Sequence, residues 1–161
     1  TNGYSLARKI CFEIAGLEPD APMPGVGRSV ADALMEPHRS YAKLMQIVMK
    51  IVDVRGMAHI TGGGITENLP RTLPRHTAAE IDLGAWTVQP VFRFLQEQGG
   101  VEPREMLRTF NCGIGLVFVV PAEQAEKAVN AVDQAGREAM VIGHVTEGNR
   151  EVHYKGTLNY G

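Results

Sequence analysis

Apolar residues recur along this chain with two distinct periods. Leu44, Ile47, Val48 and Ile51 fall at i, i+3, i+4 and i+7, one stripe of an amphipathic helix of roughly three turns. Leu6, Ile10, Cys11 and Ile14 share a face in the same way, with Ser5 placed to cap that helix and Gly16 to end it. Residues 17–28 are rich in Pro and Gly and read as loop. Ser29 can then cap a short helix that stops before Pro37. Ile65, Leu69 and Leu73 mark a further short helix. Val91, Phe94 and Leu95 mark one that follows Pro90 and ends at Gly99-Gly100. Ala122, Ala125, Val129 and Val132 mark one that Gly136 closes.

The strand signals lie between these helices. VRGMAHI, after Asp53, alternates Val54, Gly56, Ala58 and Ile60 as a half-buried strand does, and residues 77–81 can form another. The run IGLVFVV (114–120) is apolar throughout, which predicts a strand buried on both faces. MVIGHV (140–145) and EVHYK (151–155) read as the last two strands, joined as a hairpin through the turn-prone Glu147-Gly148-Asn149. Alternating helices and strands predict an α+β fold (α/β layered), one domain over residues 1–161, with a mixed β-sheet packed against helices.

Composition narrows the function classes. With 161 residues, 44% hydrophobic and 21% charged, the chain can bury a proper core without disulfides or metals. A net charge of −2 gives no electrostatic reason to expect nucleic acid or an anionic membrane as a partner. No apolar run reaches the length of a membrane span. Cys11 and Cys112 stand far apart with no CxxC or Cys/His ligand neighbours, a pattern that fits a reducing cytoplasm. The five histidines are scattered, and no protein-only metal site is expected. The opening TNGYSLARK puts a turn signal immediately before a helix, so the chain reads as part of a longer protein.

One stretch demands a chemical reason. HITGGGITENLP (59–70) sets three glycines between a strand and a helix start, and glycine loses much backbone entropy on folding. Successive amides without Cβ atoms can cradle an anion, with Thr61 adding a hydroxyl. The stretch is neither a P-loop nor a dinucleotide fingerprint, and Glu67 would repel a nearby phosphate. On these residues alone an anion cradle and a plain tight turn remain open. So do the structural readings of His59 as a hydrogen-bonded strand end, of Asn2 and Ser5 as turn and cap, and of Asn111 and Cys112 as turn residues.

Three segments taken together point further. TNGYSLARK, HITGGGITENLPRTLP and RTFNCGIGLVFVVP (108–121) resemble, in order and approximate spacing, the aminoimidazole ribonucleotide synthetases, the phosphoribosylformylglycinamidine cyclo-ligases of the PurM superfamily. The resemblance runs over essentially the whole chain but covers only the C-terminal half of such an enzyme. It implies the C-terminal domain fold of that superfamily. It also implies ATP-dependent closure of formylglycinamidine ribonucleotide to aminoimidazole ribonucleotide, releasing ADP and phosphate. The N-terminal half, which in the family carries the dimerising sheet and the nucleotide and Mg²⁺ contacts, lies outside this sequence.

Under that resemblance the Thr61, Gly62, Gly63 and Gly64 loop would hold phosphate, and Asn2 and Ser5 would line the junction between halves. Asn68 and Asn111 are candidates for further polar contacts, and His59 is the one candidate for catalysis. The expected partners are ATP, the ribonucleotide, the chain's own N-terminal domain and a second copy of the full-length enzyme, all in the cytoplasm. The same architecture serves formylglycinamide ribonucleotide amidotransferase, selenophosphate synthetase, thiamine-phosphate kinase and a hydrogenase maturation factor. The NGYS and FNCGIG segments favour the cyclo-ligase. An orphan, non-catalytic binding domain is the alternative of a different class.

Overall fold

A computed structural model of the chain describes residues 2–161. Helix α1 spans Tyr4–Arg8 and runs on as a π-helical turn over Lys9–Ile14. Its cap is Gly3, at φ 78°, and Ser5 lies inside the helix without capping it. The wider π turn also breaks the 3.6-residue stripe. Ile10 and Cys11 are buried as the pattern predicts and Leu6 is half-buried, but Ile14 is turned out to 52% exposure and Ala7, outside the stripe, is buried. Helix α2 (Val30–Leu34) begins where expected, with the Ser29 hydroxyl accepting from the Asp32 amide at 3.1 Å.

Helix α3 (Ala42–Ile51) is amphipathic and packs on α7 (Ala125–Gln134) through Val48, Val52 and Val132. Strand β1 (Gly56–His59) leads into the glycine loop. The short α4 (Gly64–Asn68) follows and tightens into a 3₁₀ turn over Leu69–Thr72. Ile65, Leu69 and Leu73 are all buried, as their spacing requires. Helix α5 (Pro90–Gly99) ends on left-handed Gly100. Helix α6 (Pro103–Thr109) stands where no element was expected, with Pro103 at its first turn and Met106 and Leu107 buried.

The strands form two sheets. In the first, β1 pairs antiparallel with β3 (Leu116–Val119). In the second, β2 (Thr77–Asp82) lies between β4 (Gly143–Glu147), antiparallel to it, and β5 (Val152–Lys155), parallel to it. The fold is thus mixed in sheet direction and layered with helices, as expected, with two corrections. The last two strands are not a hairpin: the link between them crosses the start of β2, where Gly148 and Arg150 amides donate to the His76 and Thr77 carbonyls. And β3, though apolar, buries only Val117. Its strand helps line a groove of about 960 Å³ whose other walls come from β2, β4 and α7. Apolar residues are therefore spent on a groove wall as well as on a core. Among the described residues no helix is long and apolar enough to cross a membrane.

Candidate functional site

The glycine loop leaves β1, and each of its glycines has a different reason to be one. Gly64, at φ 57°, sits so close to α6 that a Cβ there would lie 1.9 Å from the Leu107 carbonyl oxygen. Gly63, at φ 93°, caps α4, and a Cβ would meet the Glu67 side chain at 2.7 Å. Both are required by turn and packing. Gly62 has no such backbone demand, and the nearest atom to its imagined Cβ is Asn2 Oδ1 at 3.4 Å. The tight turn and an open face therefore coexist in one loop, and Gly62 is the residue that belongs to the face.

Asn68 holds the loop from beneath. It is 7% exposed, and its Nδ2 donates to the Gly64 carbonyl at 2.8 Å and the Gly62 carbonyl at 3.1 Å. Its Oδ1 accepts from the Thr61 hydroxyl at 3.3 Å. An amide so fully engaged positions the loop and has no polar atom left for a ligand. The Glu67 carboxylate lies beside Gly63, with Oε1 3.2 Å from an Arg108 guanidinium nitrogen on α6. The carboxylate that threatened a phosphate is thereby paired.

Asn2, Thr61 and Asn111 meet at one notch of about 20 Å³, together with His38, Ile60, Phe92 and Phe110. Three segments distant in sequence thus contribute one polar side chain each. The Asn111 Oδ1 accepts from the Gly113 amide at 3.0 Å, which builds the turn that sets Cys112 at φ 47°. Burial pushes the Cys112 thiol up to about 12, and its carbonyl accepts from Trp86 Nε1 at 2.9 Å. Cys112 is a fully buried structural residue, in no position to act as a nucleophile. Ser5 is exposed on α1 and does not line the notch.

His59, at the end of β1, does not line the notch either; it meets His38 instead, Nε2 to Nε2 at 2.9 Å. His38, Phe92 and Phe110 were absent from the sequence-based candidates. Nothing in MEPHRSY marks His38, since its partners lie more than one element away. A notch of this size admits one water or one ligand oxygen. Its neutral amide N–H groups suit a phosphoryl or carbonyl oxygen. Among the described residues no group of three or more His, Cys, Asp or Glu comes together as a metal site.

Residues 1–156 match the family model described as AIR synthase related protein, C-terminal domain. The chain belongs to this family. It is 44% identical over 147 residues to a phosphoribosylformylglycinamidine cyclo-ligase of Citrifermentans bemidjiense, an alignment that covers 91% of this chain and 42% of that protein. Against the enzyme of the same name from Chromobacterium violaceum the identity is 49%, with the same coverage. The chain therefore spans less than half the length of the relatives it matches.

Among solved structures, E. coli HypE, a hydrogenase maturation protein, superposes with a TM-score of 0.64 at 23% identity, over 100% of this chain and 48% of that one. Thiamine-monophosphate kinase from Stenotrophomonas maltophilia gives 0.64 at 17% identity, over 98% and 48%. These two show the shared fold.

Proposed function

We propose that this chain forms one wall of the active site of a phosphoribosylformylglycinamidine cyclo-ligase. The intact enzyme closes formylglycinamidine ribonucleotide to aminoimidazole ribonucleotide with ATP, in cytoplasmic purine synthesis. The observation that carries this reading is the meeting of Asn2, Thr61 and Asn111 at one notch. They come from the three segments by which the sequence resembles this family.

Ring closure of this kind depends on positioning and charge stabilisation more than on a nucleophilic side chain. ATP activates the formyl oxygen, an amine attacks the activated carbon, and phosphate leaves. In this assignment the Asn2 and Asn111 amide groups hold one oxygen of a phosphoryl or formyl group at the notch, and Thr61, whose hydroxyl donates to Asn68, shapes its wall. Gly62 lets the ligand approach the loop, and Asn68 fixes the loop's shape from behind. Ser5, exposed on α1, belongs to the junction with the other half.

In this reading the ligands of Mg²⁺ and the contacts that pair two copies of the enzyme belong to the N-terminal half, as the family resemblance implies. One wall cannot orient two substrates. The 161-residue chain, supplied with ATP and formylglycinamidine ribonucleotide, is expected to show no turnover, and the two-domain enzyme full turnover. Turnover by the chain alone overturns the reading. So does an Asn2→Ala, Asn111→Ala two-domain enzyme with unchanged kcat/KM.

A further inference from the structure

The mouth of the notch carries a device that ring closure does not use. His38 and His59 join Nε2 to Nε2 at 2.9 Å, with ring centroids 5.1 Å apart. The Tyr41 ring lies edge-on against both, at 5.6 and 5.9 Å. His38 also lines the notch beside Asn2, Thr61 and Asn111. A hydrogen bond between two Nε2 atoms needs one donor and one acceptor. A proton added at the accepting Nε2 must break the bond.

The surroundings resist that proton. Partial desolvation first, then the neighbouring His59, hold the His38 pKa below its ordinary value. Burial holds the Tyr41 hydroxyl pKa above its ordinary value, against the opposing pull of the Arg39 charge. No ion pair found among the described residues brings a carboxylate to either ring.

We infer that His38 and His59 form a proton-linked anion clamp: a dianionic phosphoryl group at the notch breaks the imidazole–imidazole bond, draws one proton onto the pair and is held by both rings. This rests on the notch being the phosphoryl site proposed above. With the proton on the accepting Nε2, both Nε2–H groups can donate to the dianion, which offsets the one positive charge the pair has gained.

Sulfate is the probe, because it keeps two negative charges near neutral pH and takes up no proton itself. It is titrated into the 161-residue chain and followed through the NMR shifts of the Thr61–Gly64 amides and the imidazoles. Across about pH 6 to 8, affinity is expected to fall up to about tenfold per pH unit, the slope of one linked proton. In His38→Gln that slope should drop towards zero while the weak binding at high pH remains. His59→Gln should raise the titration midpoint of His38.

A wild-type chain that binds sulfate with no pH slope overturns the clamp and leaves the notch as an anion site. A His38 midpoint unmoved by His59→Gln also overturns the clamp. Absence of sulfate binding at every pH overturns both. Gly62→Val separates the two readings: binding should vanish at all pH values while the coupling between the histidines persists.

Discussion

The glycine corner and the outer face of the β4–β2–β5 sheet hold their polar groups in opposite ways. On the sheet, Glu80 meets Lys155 at 2.7 Å and His144 at 3.6 Å, and His153 meets Glu151 at 3.3 Å. Lys155 and both histidines there are more than half exposed, so water already screens the charges and the pairs add little. At the corner the working group is a neutral amide, Asn68, sealed from water and bonded to two carbonyls and a hydroxyl. There a single lost hydrogen bond leaves buried carbonyls unpaired, which costs more than any exposed ion pair supplies. The comparison teaches that the conspicuous charges are the expendable ones.

The largest effect that would break this contrast is at Gly64. Gly64→Ala forces a Cβ against the Leu107 carbonyl and should destabilise the chain by about 3 kcal/mol or more in urea unfolding. Gly62→Ala, two residues earlier, should cost less than about 1 kcal/mol. Equal costs would mean that the loop is packed throughout and presents no open face. Next in size is Asn68→Ala, expected to lose about 2 kcal/mol, measured in the same way. A loss no larger than that of an exposed residue would remove Asn68 from its supporting role.

Two smaller effects depend on pH. The pKa of His38 is lowered in the folded chain, so its contribution to stability is complete above the unfolded value of 6.5. That contribution is lost as pH falls through the folded value. The fall in melting temperature between neutral pH and pH 5 should be smaller in His38→Gln than in the parent chain.

Smallest of all is Lys155→Ala. A hydrogen bond from Lys155 holds the Glu80 carboxyl below its usual range, so the pair acts above that range and is lost as pH falls through the lowered value. Because the pair is solvated, the melting temperature at pH 7 should not move measurably. A clear drop would erase the contrast between the two regions.

Much of the architecture was legible because local chemistry dictates it. The Ser29 cap, the Gly99-Gly100 stop and the buried trio of Ile65, Leu69 and Leu73 all follow from interactions within one helix. Helix α6 carries the same kind of local signal, in Pro103 at its start and in the spacing of Met106, Leu107 and Phe110, but no element was assigned to that stretch. The burial of β3 and the pairing of β4 and β5 were not legible. They depend on which strands lie alongside, and alternation within one strand says nothing of its neighbours.

The same division runs through the candidate site. Its motif residues were visible in the sequence, while their meeting at one notch is a matter of tertiary placement. The inward role of Asn68 and the partnership of His38 with His59 come from tertiary placement alone.

The link that carries the chain from β4 to β5 across the start of β2 also sets an order of events. Thr77 waits for Glu147, and Ala79 for Val152, so the central strand has no neighbour on either edge until the last part of the chain is made. During synthesis β2 therefore emerges early with both edges unpaired, and a chain that stops short of residue 143 presents them to other molecules. A nascent or truncated copy is the form of this protein that should aggregate, and the final turn of the sheet is what ends that exposure.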